Sequence, residues 1–579
     1  MNDGWIVDNQ MSARYPIYTR ANVGEVFPDP VAPLSWTLAG RPGAEQGWRD
    51  AFVEFGAFDR DEFDPGEIEI TGVFGGYCYL NVSISRIFGV RTPGLTPELI
   101  DYTLFGEQSE AWPYEPQPTD ESLEHSARIA ETLGRVLSVT DLPELRDDQR
   151  VIAELRGGRP DPSTLTDQEL VERTRYLMER WFRPLFARHI YVTYAATVGT
   201  GIVSTVAGAL DDPALAMRLL AGLGDVDSAA PSWTMWELGR QIAASDELTR
   251  HFDKGIADLE GRLRSSAVGS PEVAGFVAGF DRFLFRHGSR GPNEWEMRSP
   301  SWETHPELAL IAIDRMRLSP EESSPQIKHE RMAAERHRLA SEVSEALAGE
   351  PESRAQFEAG LHSALVYMAG RERSKTTIIR LTNELRVMMH EVGRRMVEAG
   401  HFRAVTDFSM LLAEELDDFV AHPEAFRSAI QDRETRYQEL GALVPPFVLN
   451  GSPVPLGQWA SRAGRLVELA GPGTALAGIP GCPGEATGRA CIVLDPADAE
   501  ALQPGDVLVA PITDPSWTPL FVPAAGVVVD VGAQMSHAVI VSRELGIPCV
   551  VSVTGATRKI RNGAKVRVNG TTGEVTVLD

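Results

Sequence analysis

Residues Gly526–Val553 read GVVVDVGAQMSHAVIVSRELGIPCVVSV, and this stretch decides how the carboxy-terminal part of the chain folds. Val527–Val529 is a β-branched run suited to a buried strand, Gly532 and Ser536 bracket a tight connection, and Ala538–Leu545 has helical periodicity until Gly546 and Pro548 stop it. Cys549–Val553 reads as the next buried strand. In such a strand–loop–helix–strand unit Ser536 is the natural N-cap, so His537 falls in the first helical turn, where backbone N–H groups and the positive dipole end favour an anion. Neutral imidazole is nucleophilic near pH 7, and its bond to phosphorus is labile enough to pass the group on. His537 is therefore a candidate phosphoryl carrier. A helix-capping histidine without chemistry satisfies the same local pattern.

The flanking sequence adds context. Gly481–Gly488, GCPGEATG, opens a β-rich stretch in which Arg489–Leu494, Val507–Ala510 and Val566–Val568 read as strands between Gly and Pro turns. Asp514–Leu520, DPSWTPL, joins Thr513 to the strand before the histidine loop. The ordered series GDVLVAPITDPSWTPLF, GVVVDVG, SHAVIVSRELGIPCVV and NGTTGEV resembles the phosphohistidine swivelling domain of the phosphoenolpyruvate-utilising family. The resemblance implies that His537 is phosphorylated, that Gly532 and Ser536 line the phosphate loop, and that Arg543 and Glu544 belong to the following helix. Ala533 stands where the family commonly has a second glycine, and Met535 where its dikinases carry a regulatory threonine, which argues against that form of control.

Composition sets bounds. The 579 residues suffice for two or three domains, and 43% hydrophobic with 24% charged residues is ordinary for a soluble globular protein. A formal net charge of −27 disfavours nucleic acid or an anionic membrane as partner. The start, MNDGWIVDNQ, lacks the basic and apolar regions of a signal peptide, and no apolar run reads as a membrane span, so a cytoplasmic location is expected. Cys78, Cys482, Cys491 and Cys549 form no CxxC pair or zinc spacing and read as buried, reduced thiols, with Cys482 in a loop where exposure is conceivable; no metal site is expected.

Upstream, Tyr15–Thr37 is Pro-rich and reads as an extended, loop-like segment, and Gly72–Arg91 as strands and turns or the start of a packed helix. Helical patterns cover Ser122–Leu137, Asp167–Val206, Glu247–Arg264, Pro320–Ala348, Glu352–Gly400 and Val405–Val420. Two polar islands interrupt them. FRHGSRGPNEWEMRSPSWE, Phe285–Glu303, gathers His287, Arg290, Asn293, Glu294, Glu296 and Arg298 around glycine breaks; it is either an ionic surface loop or a set of groups facing a ligand. In GRERSKTTIIR, Gly370–Arg380, Arg371 and Lys375 share one helical face, which favours an anion between them unless the face is simply solvated.

These islands, with TRANVGEVFPDPVAPLSW and FGGYCYLNVS, resemble the substrate-binding portion of the rifampicin phosphotransferase branch of the family. That resemblance implies a multidomain α+β architecture: a large, mainly helical domain over 1–450 that accepts the hydroxyl substrate, a linker over 451–473, and a small β/β/α swivelling domain over 474–579. It also implies that Arg371 and Lys375 bind the incoming phosphoryl group, that His287, Glu294 or Glu25 takes a proton, and that Arg290, Glu25 and Asn22 belong to the substrate wall. The family's ATP-grasp motifs do not occur, so the expected organisation is split, as in phenylphosphate synthase. A separate ATP-grasp subunit binding Mg and ATP charges His537, ATP going to AMP and phosphate, and the chain delivers the group to an alcohol or phenol. Alternatives are charging from phosphoenolpyruvate through another partner, or a non-enzymatic phosphocarrier with a regulatory role. The polar islands count against the latter.

Overall fold

The computed structural model describes residues 4–105, 112–224, 226–462, 469–496, 501–532 and 536–579; Ala533, Met535 and part of the 451–473 segment lie outside the described residues. The chain forms two compact units. One comprises Met1–Ala196, Trp295–Ser299 and Arg373–Leu466, the other Thr197–Glu294, Pro300–Glu372 and Val467–Asp579.

In the first unit a four-stranded antiparallel sheet is ordered Thr71–Phe74, Tyr77–Asn81, Ile17–Thr19, Val448–Asn450. Gly75 and Gly76 take positive φ (57° and 86°) and close the tight hairpin between the first two strands, a conformation that disfavours any side chain. Tyr18 pairs with Asn81 on one side and Leu449 on the other, so the amino-terminal segment is the centre of a sheet and not the loop its prolines suggest. The same segment enters a helix at Pro33, which passes through a π-helical stretch, Trp36–Ala44, into Glu45–Phe55. Pro42 and two glycines within the stretch break the 3.6-residue pattern and hide the helix from a periodicity reading.

Glu45 fastens this helix to the sheet. Its fully buried carboxylate accepts from the Arg49 guanidinium at 2.9 Å and from the backbone N–H groups of Glu69 and Thr71 at 3.0 Å. Long helices complete the unit, among them Leu123–Leu137, Asp167–Leu177 with a Thr166/Glu169 capping box, and the first part of Arg183–Ala209. Val405–Val420 does not form the expected helix. Asp407 takes the N–H groups of Arg403 and Ala404, and Glu415 takes that of Leu412, so side chains satisfy the backbone as short 3₁₀ turns before Leu416–Ala421.

The second unit carries the helices Pro213–Leu219, Ala230–Ala243, Asp246–Phe252, Leu259–Ala267, Pro271–His287, Pro306–Arg317 and Pro325–Ala346. The expected single helix over Glu247–Arg264 is interrupted, with Gly255 and Asp258 both left-handed (φ 86° and 54°). Its carboxy-terminal part holds an eight-stranded sheet ordered Ala475–Ala477, Glu574–Val577, Lys565–Asn569, Glu485–Ile492, Val507–Ala510, Gly526–Val529, Cys549–Val551, Ile479–Cys482. The strands from Glu485–Ile492 to Cys549–Val551 run parallel, and the valines at their centre are buried on both faces, as a continuous β-branched run requires. One apolar core extends from Phe276, Phe283, Trp302 and Met316 of the helices to Leu520, Phe521, Val539 and Val551 of the sheet part. The mainly helical chain with a β-rich carboxy-terminal part agrees with the fold class read from the sequence.

All four cysteines are free and buried, Cys482 included, and burial pushes the Cys482 thiol up to about 12. By length and composition one helical run among the described residues, Asp167–Ala209, is apolar enough to cross a membrane. Glu45→Ala should cost about 3–5 kcal/mol, because it strands Arg49 and the backbone donors of Glu69, Ile70 and Thr71 in a dry site. Chemical denaturation monitored by the aromatic-rich core of the first unit checks this; an unchanged midpoint would refute the fastening role of Glu45.

Candidate phosphohistidine site

Two adjacent parallel strands deliver the site from their carboxyl ends, where open α/β sheets place their ligands. The strand Val507–Ala510 runs out to Thr513 and the short helix Thr518–Phe521, and the strand Gly526–Val529 runs out through Gly532 to the helix His537–Leu545. Ser536 is the N-cap residue, with extended backbone (φ −70°, ψ 160°), and His537 is the first helical residue, as the sequence pattern indicates. Ser536 does not cap by its side chain. Among the described residues its buried Oγ has no hydrogen-bond partner, and it faces Gly532, where an added Cβ would lie 3.2 Å from it. Gly532 thus leaves room for that hydroxyl, and its own carbonyl accepts from Ser552 Oγ at 2.5 Å.

Both imidazole nitrogens of His537 are held by threonines. Nε2 is 3.0 Å from Thr518 Oγ1 and Nδ1 is 3.2 Å from Thr513 Oγ1. A hydroxyl both donates and accepts, so the pair serves either neutral tautomer without a charge. Phe521 packs edge-on at 5.9 Å, and the histidine is only 9% exposed. Thr518 also donates to the carbonyl of Ser228, at 3.4 Å, and the start of the helix Ala230–Ala243 packs through Val226 and Ala229 on Ile540, one turn beyond His537.

Asp514, next to Thr513, is buried and accepts from the N–H of Asn293 at 2.6 Å and from the N–H and Oγ of Ser516 at 2.9 and 2.5 Å. Burial pushes its carboxyl up to about 6, against these hydrogen bonds and helped by the nearby Glu294 charge. Asn293 holds φ 51°, a left-handed conformation that turns its N–H toward Asp514.

The sequence-derived candidates are distributed as follows. His537, Ser536, Gly532, His287, Arg290, Glu294 and Arg371 belong to the second unit, and Asn22, Glu25 and Lys375 to the first. The island Phe285–Glu303 is not a solvated loop: Arg290 and Glu294 are each 1% exposed and form a two-pronged ion pair at 3.0 Å. Arg290 also reaches the carbonyl of Asp227, and Trp302 donates to the carbonyl of Arg290 at 2.7 Å. His287 ends the helix Pro271–His287 against Phe283. Arg371 pairs with Glu372 at 2.5 Å, so the repulsion expected from Lys375 one turn on is offset by a neighbouring carboxylate. In the first unit Asn22 is exposed at positive φ (65°) and precedes the helical turn Val23–Val26 that contains Glu25. Thr513, Asp514, Thr518 and Ser228 were not read as site residues. The DPSWTPL motif and the threonine just before it were the available signal for the first three; nothing local marks Ser228.

Comparison with known proteins agrees with this geometry. Residues 188–372 match the rifampicin phosphotransferase fourth domain, and 502–573 match the mobile domain of PEP-utilising enzymes. These two matches, in this order along the chain, give it an organisation similar to that of rifampicin phosphotransferase, with a PEP-utilising mobile domain at the carboxyl end. It is 27% identical to an uncharacterized protein of Mycobacterium tuberculosis over 99% of this chain and 62% of that protein. It is 30% identical to a rifampicin phosphotransferase of a Streptomyces species over 74% of this chain and 52% of the relative. It is 26% identical to the prodigiosin synthesizing transferase PigC of Serratia marcescens over 89% of this chain and 58% of the relative. The chain therefore spans a little over half the length of these proteins, from 52% to 62%. His537 and both threonines that hold it fall inside the mobile-domain match.

A raised Asp514 pKa fixes the sign of a pH effect. The folded state binds the proton more tightly than the unfolded chain, whose value is near 3.8, so this stabilisation is complete below about pH 4 and is lost as pH rises through about 6. Wild type should gain on the order of 2–3 kcal/mol over Asp514→Asn between pH 7 and pH 4. Denaturation midpoints of the two proteins against pH test this; a constant difference would refute it.

Proposed function

We propose that the chain is a phosphotransferase that carries a phosphoryl group on His537 and delivers it to a hydroxyl group of a small organic substrate. The observation that carries this reading is an imidazole at a helix start, at the carboxyl ends of parallel strands, gripped by Thr513 and Thr518 within residues that match the PEP-utilising mobile domain. In this reading the attacking ring nitrogen gives up its threonine partner and forms the N–P bond, while the other threonine keeps the ring oriented. The vacated hydroxyl and the unpartnered Ser536 Oγ then face the new phosphoryl oxygens as donors.

Charging comes from an ATP-grasp partner using Mg and ATP, with ATP cleaved to AMP and phosphate, and delivery follows movement of 474–579 on the 451–473 segment. Arg371 and Lys375 offset charge on the transferring group, a stabilisation of several kcal/mol in a dry site, after Arg371 exchanges Glu372 for the phosphoryl oxygens. One of His287, Glu294 and Glu25 takes the hydroxyl proton; of these, Glu294 is paired with Arg290. Relatives named rifampicin phosphotransferase support a hydroxyl acceptor. The reading makes this a cytoplasmic enzyme with no nucleic-acid partner.

With partner and β-labelled ATP, His537→Ala should reduce incorporation to background, whereas Arg371→Ala should charge normally and fail to deliver. Release of AMP identifies the donor as ATP, and release of pyruvate would identify it as phosphoenolpyruvate. Normal charging of His537→Ala would overturn the carrier role.

A further inference from the structure

Two carboxylates, Glu544 on the His537 helix and Asp514 next to Thr513, bind the helical part of the second unit, received respectively by two backbone N–H groups and one at left-handed positions. Glu544, two turns after His537, accepts from the N–H groups of Leu223 at 2.8 Å and Gly224 at 3.1 Å. Gly222 and Gly224 both hold positive φ (61° and 81°), which turns successive N–H groups to one side and makes an anion-binding concavity. The receiving loop is braced from behind. Arg336 donates to the carbonyls of Ala221 and Gly222, and His329 lies beside Gly224 with its Nδ1 3.7 Å from Glu544. On the other side Asp514 is received by the N–H of Asn293. Gly291, two residues earlier, packs so closely on the Pro300 carbonyl that any Cβ there would collide with it. A third polar contact, Lys328 Nζ to the carbonyl of Val522 at 3.2 Å, lies between these anchors in sequence.

This arrangement closes the site. His537 is 9% exposed and both its ring nitrogens are engaged. A doubly negative phosphoryl group here would also be buried beside Asp514 and Glu294, the latter's charge already spent on Arg290.

We infer that the surface formed by the Gly222–Gly224 loop, Ser228 and Asn293 is a docking receptor for the mobile part of this same chain in its unphosphorylated form, with Glu544 and Asp514 as the latches that gate access to His537. The inference rests on the carrier reading for its purpose but not for its test. Opening exchanges two charge-assisted carboxylate contacts for water and exposes the His537 ring.

Diethyl pyrocarbonate tests the gate on the full chain, because it acylates any accessible neutral imidazole whatever its biological role: a ring nitrogen attacks the carbonyl, an N–C bond forms, and carbon dioxide and ethanol leave. His537 in wild type should react slowly. Glu544→Ala, and Gly224→Val from the receptor side, should each raise its rate about tenfold or more, as expected for losing charge-assisted bonds. In both variants the amides of Leu223 and Gly224 should exchange faster, while those of the strands Val507–Ala510 and Gly526–Val529 stay slow, which separates local opening from unfolding. If those two amides become fast and His537 acylation does not change, the gate is overturned. Phosphoramidate treatment tests the carrier reading separately, its P–N bond breaking and ammonia leaving as the imidazole N–P bond forms. Faster acylation of a His537 that never takes this phosphoryl group would keep the gate and remove the carrier.

Discussion

A histidine that carries phosphoryl groups must be neutral, oriented and dry enough that water does not take the group, and it must also be reachable. The two contacts from His537 to Thr513 and Thr518 meet the first three demands together. Hydroxyls satisfy both nitrogens without bringing a charge that would hold the ring as imidazolium, and they come from a segment fixed by the neighbouring parallel strand. The rest of the carboxy-terminal part serves this placement. The buried valine strands make a rigid platform, Gly532 leaves room for Ser536, and the left-handed cap at Gly546 ends the helix before the next strand.

Rigidity and access pull against each other, and the resolution lies in what kind of contact holds the closed state. An apolar core shared between helices and sheet would by itself be slow to open. Beside that core, Glu544 and Asp514 add single carboxylates set against backbone N–H groups, contacts whose strength depends on charge and which water replaces at small net cost. Asp514 makes the balance visible: its carboxyl is held up to about 6 because burial outweighs the three hydrogen bonds it accepts. A carboxylate that costs free energy to bury is a poor permanent anchor and a serviceable releasable one.

Legibility in the sequence followed the range of the forces involved. The helix at His537, its N-cap, its glycine stop and the flanking strands are set by neighbours within a few residues, and the pattern of Gly526–Val553 displayed them. Helices whose periodicity is broken by Pro42, or replaced by Asp407 and Glu415 bonding to the backbone, were misread because the deciding interaction is a side-chain or π-helical detail that leaves no periodic trace. Arg290 and Glu294 were recognised as unusual by composition, yet composition does not tell an ion pair buried at 3.0 Å from a solvated loop. Ser228, about three hundred residues from His537 in sequence, enters the site by its carbonyl, a group every residue possesses, and no single sequence marks such a contact.

The position of Glu544 shows why local reading and tertiary function diverge on one helix. Its spacing from His537 places it on the helix by ordinary periodicity, and a glutamate near a helix carboxyl end works against the dipole. Such a residue is unfavourable for the helix alone. It becomes favourable only when the Leu223 and Gly224 N–H groups receive it, so the helix carrying the histidine is more stable docked than free. The cost of that glutamate when undocked couples the start of the helix, where the chemistry sits, to a loop in a different part of the same unit.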